Sequence, residues 1–212
     1  MTAEIPLAPQ GAHRLFGGRL ARAEAFTAIL ADTGVSHGLI GPREVPILWE
    51  RHVLNCAVIE DAFEADARVV DVGSGAGLPG IAVAIARPDL DIHLVEPMLR
   101  RTEWLTTTVA DLGLDNVTVH RGRAEEFHDV LLARYVTARA VARLDKLARW
   151  CLPLVTPGGS MIAMKGRAAA EELESATKVL RRLGVTSSRV TPHGDGLVDE
   201  PTLTVDSVKA SS

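Results

Sequence analysis

The sequence predicts an α/β protein: a mostly parallel, seven-stranded sheet flanked by helices, with an N-terminal helical extension. Three observations carry this. Residues before 65 show apolar side chains at helical spacing with few β-branched positions. After 65, short β-branched runs alternate with amphipathic stretches, the pattern of strand–helix–strand units. The first of those strands runs straight into clustered glycines, as expected where an open sheet turns toward a ligand.

In chain order, Leu15, Phe16, Leu20, Ala23, Phe26 and Leu30 predict a helix over 15–30 that stops near Asp32-Thr33-Gly34. Val45, Leu48, His52, Val53, Cys56 and Ile59 predict a second over 43–63, with Pro46 tolerated in its first turn. Together they define an extension, 1–64, packed on a core, 65–212. Strands are expected at 68–72, 91–96, 117–120, 135–140 and 160–165, and helices at 78–87, 98–113, 124–132, 142–151 and 168–183. Two last runs, 185–190 and 202–208, are expected to close the sheet as an antiparallel pair.

A chain of 212 residues, 47% hydrophobic and 24% charged, buries a real core as one domain. No apolar run reaches the roughly 18–20 residues that cross a bilayer, and the start lacks a basic region followed by an apolar one. Cys56 and Cys151 lie far apart without a CxxC or a His/Cys cluster, so free buried thiols in a reducing cytoplasm are expected, and no metal site. The net charge is −4, yet residues 134–182 hold ten basic and four acidic side chains, a net of +6. An acidic body with a basic portion suits local phosphate binding, and equally suits solvated helix faces.

The chemistry concentrates in Asp71-Val72-Gly73-Ser74-Gly75-Ala76-Gly77-Leu78-Pro79-Gly80. Glycines there allow a tight turn and bring backbone N–H groups close to a ligand. The second strand ends in Glu96, placed to accept both hydroxyls of a ribose. The third leads into Gly122-Arg123-Ala124-Glu125-Glu126, a loop suited to an adenine ring through a backbone amide and a carboxylate. Gly75, Gly77 and Gly80 also satisfy GxGxxG, so a nicotinamide-dinucleotide oxidoreductase is the competing reading. Asp71 before the turn, Pro79 at the helix start and Glu125-Glu126 after the third strand favour S-adenosylmethionine.

The segment from Trp49 to Gly166 resembles the 16S ribosomal RNA guanine-N7 methyltransferases once named glucose-inhibited division protein B. WERHVLNCAV (49–58) resembles that family's W-x-RH helix, with Asn55-Cys56 where Asp-Ser is usual. DVGSGAGLPGI (71–81) resembles its glycine loop, and LVEPMLRRTEWL (94–105) its E-x-x-x-K-K/R-x-x-FL segment. HRGRAEEF (120–127), TARAVARL (137–144) and MIAMKG (161–166) resemble three further motifs in register, with Thr137-Ala138 replacing the usual Ser before Arg139. The resemblance implies a class I S-adenosylmethionine-dependent methyltransferase, Rossmann-like, acting in the cytoplasm as a monomer on the small ribosomal subunit, without membrane or metal. It implies cofactor contacts at Gly73, Leu78, Ala124, Glu125 and Arg139, to which the strand-end argument adds Glu96. A small-molecule methyltransferase on the same fold remains an alternative.

Guanine N7 carries a free lone pair at neutral pH, so no base must first remove a proton. Catalysis then rests on alignment and electrostatics, which accounts for the lack of a Ser/His/Asp or Cys/His constellation. Arg139, at the end of the fourth strand, is the expected positioning residue between cofactor and base; a buried ion pair to Glu125 or Asp71 is the plainer alternative. The N7 edge of A-form RNA lies in a groove too narrow for side chains, so the target is expected in a loop or bulge. Arg100, Arg101, Arg123, Lys165 and Arg167 are the expected phosphate contacts, with Arg143 as a further candidate. His52 reads first as a core histidine and second as an RNA contact, while Trp49 and Trp104 read as core residues.

Overall fold

The computed structural model describes residues 5–211. Its N-terminal part is more broken than the periodicity suggests. Helix α1 (Gln10–Phe16) ends where Gly17 takes a positive φ of 51°, a 3-10 turn follows, and α2 (Leu20–Ile29) runs on into a π-helical turn. The expected helix over 43–63 is instead a 3-10 stretch (Pro42–Ile47), a π-helical turn (Trp49–Val53), α3 (Leu54–Ala57) and a second 3-10 stretch (Val58–Ala62). Pro46 supplies no N–H for α-helical bonding, and π turns inside helices recur at functional sites.

The core follows the expected alternation: β1 (Arg68–Val72), α4 (Gly80–Ala86), β2 (Asp91–Glu96), α5 (Leu99–Asp111), β3 (Val117–Arg121), β4 (Ala133–Arg139), α6 (Leu144–Cys151), β5 (Val155–Lys165), α7 (Ala169–Arg182), β6 (Val185–His193) and β7 (Thr202–Lys209). The helix expected over 124–132 shrinks to a 3-10 turn, Ala124–Phe127. Strand β5 starts five residues earlier than its apolar run, because Gly158-Gly159 lie within the strand. The seven strands order as β3-β2-β1-β4-β5-β7-β6. Pairs from β3 to β5 are parallel, and β7 joins both β5 and β6 antiparallel. The order reverses beside β1, which opens the crevice at the carboxyl ends of β1 and β4.

Alternate residues of the buried strands face two apolar cores. Val69 joins Phe16, Phe26, Trp49, Ile85 and Leu105 on the face covered by the N-terminal helices, α4 and α5. Val70 joins Leu144, Leu147 and Leu180 beneath α6 and α7. Each such large side chain contributes about 1.5–3 kcal/mol by leaving water. Trp49 and Trp104 are buried and anchored, donating to Pro6 O (3.1 Å) and Thr33 Oγ1 (2.9 Å). Cys56 and Cys151 are buried free thiols.

Candidate active site

The glycine loop is built on backbone geometry that side chains oppose. Gly73, Gly75 and Gly77 have φ of 72°, 53° and 76°, in the left-handed region where a Cβ is strained. Gly73 N–H and Ser74 N–H donate to Val95 O at 2.8 and 3.2 Å, tying the loop to the end of β2. There Glu96 is buried, and its two oxygens accept from Gly75 N–H (3.1 Å) and Met98 N–H (3.0 Å). Each carboxylate oxygen keeps a second acceptor site.

Asp71, the penultimate residue of β1, is wholly buried. Its Oδ2 accepts from Gly80 N–H at 3.0 Å, while Oδ1 has no partner. Burial pushes its carboxyl up to about 7, against the pull of the Gly80 bond. Gly80 leaves no space for a side chain, since a Cβ would lie 2.2 Å from Leu94 Cδ2. The start of α4 is therefore held by the chain's own carboxylate. A pyrophosphate, which a dinucleotide fold seats at this helix start, would meet that buried acid.

Gly73, Glu96, Ala124, Glu125 and Arg139 line one cleft of about 510 Å³, together with Arg101, Arg123, Met98 and Trp150. Leu78 does not line it and is buried in the apolar core instead. The 3-10 turn at Ala124 is fixed by Arg123 N–H donating to Glu126 Oε1 at 2.7 Å, and Glu125 stays exposed at the rim. The leading N–H groups of such a turn have no partner within it, which suits them to a base edge.

A second cleft of about 910 Å³ is lined by Arg51, Asn55, Arg143, Lys165, Arg167 and the 197–203 loop. The two clefts share Arg139, Ala140 and Val141 as their common wall. Ala140 has a φ of 55°, rare for a residue with a Cβ, and this turn lays Val141 over the loop. A Cβ on Gly73 would lie 2.8 Å from Val141 Cγ2, so only glycine allows that approach.

Arg139 pairs with neither Glu125 nor Asp71. Its guanidinium meets the Cys56 thiol and His52 Nδ1, the latter at 2.7 Å, and His52 Nε2 lies 2.8 Å from Glu44 Oε2. His52 is buried beside Arg139 and lines neither cleft. Lys165 bridges Ala142 O and Glu172, each at 2.8 Å, whereas exposed Arg167 pairs with Glu200 at 2.8 Å. Arg100 donates to His37 O and lies outside both clefts. Glu44, Cys56 and Val141 had no expected site role; for Cys56 the available signal was the helical face it shares with His52.

The family model for rRNA small subunit methyltransferase G matches residues 19–198. The chain belongs to the rRNA small subunit methyltransferase G family. Proteins named ribosomal RNA small subunit methyltransferase G are 54% identical to it in Renibacterium salmoninarum, over 92% of this chain and 91% of theirs. Another in Mycolicibacterium gilvum is 48% identical over 99% and 93%. Among solved structures, a putative S-adenosylmethionine-dependent methyltransferase from Methanococcus maripaludis aligns with a TM-score of 0.58 at 15% identity, covering 90% of this chain and 92% of that one. A mitomycin 7-O-methyltransferase aligns with a TM-score of 0.59 at 18% identity, covering 94% and 68%. At those identities the likeness establishes the fold, a class I methyltransferase sheet.

The residues fit the cofactor of this methyltransferase family, S-adenosylmethionine. A concave glycine loop, a buried carboxylate with free acceptor sites and a cleft of about 510 Å³ match its methionine, ribose and adenine parts. Among the described residues no cluster of His, Cys, Asp and Glu could hold a metal, and no helix is long and apolar enough to cross a membrane.

Proposed function

We propose that this protein transfers the methyl group of S-adenosylmethionine to N7 of a loop guanine in 16S ribosomal RNA. The observation that carries the reading is the wall at Arg139, where a cofactor-sized cleft meets a larger one that carries Arg51, Arg143, Lys165 and Arg167 among its charged residues. Glu96 holds the ribose, the Ala124-Glu125 turn reads the adenine, and the Gly73–Gly77 backbone faces the methionine end. Bound there, S-adenosylmethionine supplies an electrophilic methyl carbon on a sulfonium.

The protein's own part is positioning. Arg139 presents donors in a fixed fork suited to guanine O6 or to the methionine carboxylate. Val141 covers Gly73 and excludes water from the reacting atoms. Guanine N7 would react through its own lone pair, with S-adenosylhomocysteine as the leaving group, so no side chain of this protein must accept a proton. Arg101, Arg123, Arg143 and Arg167 meet the phosphates around a splayed base, with Lys165 bracing the wall through Ala142 and Glu172; Arg100 extends the basic rim along α5. Residues 1–64 serve as an extension that builds one side of the larger cleft on the 65–212 core, through Pro9, Ile47, Arg51 and Asn55. The same reading has the protein acting as a cytoplasmic monomer.

Labelled S-adenosylmethionine and small-subunit RNA from cells lacking this protein test the reading. It expects about one methyl per RNA; equal transfer to RNA that already carries the modification contradicts it.

A further inference from the structure

We infer that Glu44, His52 and Cys56 are positioning residues that hold the Arg139 guanidinium at the wall between the two clefts. A guanidinium at a strand end has four flexible torsions and no intrinsic reason to stay in one place. Here its Nη1 donates to Cys56 Sγ and its Nη2 donates to His52 Nδ1. His52 therefore keeps its lone pair on Nδ1 and its proton on Nε2, which donates to Glu44 Oε2 at 2.8 Å. Arg51 Nε lies 3.3 Å from that same Glu44 oxygen and anchors the outer end of the relay. All three partners come from the segment that departs from a regular α-helix, the 3-10 stretch Pro42–Ile47, the π-helical turn Trp49–Val53 and α3. His52 and Cys56, four residues apart, share the face that meets Arg139 at the end of β4.

The arrangement works in only one protonation state. A doubly protonated imidazole has no acceptor for Arg139 and sets a second cation beside it. Burial and the neighbouring Arg139 charge both hold the His52 pKa below its ordinary value, opposed by Glu44. The charged groups that face His52 are Glu44, Arg51 and Arg139, and beyond Arg139 stand Asp71 and the Cys56 thiol. The relay thus keeps His52 neutral at the pH where methyl transfer proceeds, and lets go of Arg139 in acid.

The kinetic readout rests on the methyl-transfer reading, whereas cofactor affinity reads the relay alone, because Arg139 lines the cofactor cleft. His52→Leu removes the acceptor at similar volume; His52→Asn returns an oxygen close to where Nδ1 stood. The expected result is a loss of kcat of roughly 10- to 100-fold in His52→Leu, weaker S-adenosylhomocysteine binding by calorimetry, and recovery of most of both in His52→Asn. The acidic limb of the wild-type rate profile should vanish in His52→Asn and move to lower pH in Glu44→Gln, which removes the charge that raises the His52 pKa. If His52→Leu does not fold, Cys56→Ala reports the same contact from the other donor and should weaken binding, with Cys56→Ser restoring it. Equal S-adenosylhomocysteine affinity in wild type, His52→Leu and Cys56→Ala overturns the proposal. A wild type that binds S-adenosylhomocysteine and loses affinity in these variants, yet leaves the RNA unmethylated, overturns the proposed function and keeps the relay.

Discussion

Asp71 offers a stability measurement worked directly from the site. Its carboxyl is fully buried, one oxygen caps Gly80 N–H, the other has no partner, and its pKa rises from 3.8 to about 7. The folded protein thus holds that proton more tightly than the unfolded chain does. Its contribution is intact below the unfolded value and is lost as pH climbs toward the folded value, at 1.36 kcal/mol per unit, roughly 4 kcal/mol in all. Asp71→Asn keeps an amide oxygen for Gly80 N–H and cannot ionise. Urea unfolding of both proteins, compared pH by pH, isolates this one group. Carboxylates whose pKa is lowered by arginine, such as Asp91 beside Arg68, affect both proteins alike and cancel. Relative to the variant, the wild type should lose about 4 kcal/mol between pH ~4 and ~7, then run parallel above it. A difference that stays flat with pH, or one that favours the wild type as pH rises, refutes the reasoning.

Three further outcomes follow from the same geometry. Glu96→Gln replaces a charged acceptor with a neutral one at the proposed ribose position, and calorimetry should show S-adenosylhomocysteine affinity falling roughly tenfold; unchanged affinity removes Glu96 from the cofactor site. Gly11→Ala places a Cβ 1.9 Å from the backbone oxygen of Leu197, which should cost about 1–3 kcal/mol despite the better helix propensity, lowering Tm by about 2–4 °C per kcal/mol. An unaltered Tm would mean the 197–203 loop is not packed against α1. Arg143→Ala and Arg167→Ala should each reduce the salt slope of RNA binding by about 0.7 without altering S-adenosylhomocysteine affinity, and an unchanged slope excludes that residue from phosphate contact.

The parallel core was legible because its signals are local: β-branched runs, the break at Gly73, and the acid Glu96 that ends β2. The N-terminal half was legible only as helical. Pro46 and the glycine pair at 17–18 break regular winding, yet the apolar spacing that encodes burial is blind to the choice between α, 3-10 and π turns. The 124–132 stretch failed for a related reason: Ala124, Phe127 and Leu131 pack into the core shared with α6 while Val130 and Leu132 stay exposed, and the His128 ring reaches Trp150 O. Glu96, Gly73 and Arg139, which line the smaller cleft, were readable from their place at or just past strand ends. The partners of Arg139 were not, because Cys56 and Arg139 lie 83 positions apart and periodicity marked Cys56 and His52 simply as buried.

The central claim is that Arg139 stands where a cofactor methyl meets guanine N7 in small-subunit RNA. N7-methylguanosine loses its base after borohydride reduction, and aniline then cuts the chain at that nucleotide. Applied to 16S RNA from cells lacking this protein, before and after incubation with S-adenosylmethionine and the wild type or Arg139→Ala, this chemistry reads the claim directly. One new cut at a single loop guanine with the wild type, and none with Arg139→Ala, is the predicted result. Methyl incorporation without any new cut, or the same cut from Arg139→Ala at wild-type rate, contradicts it.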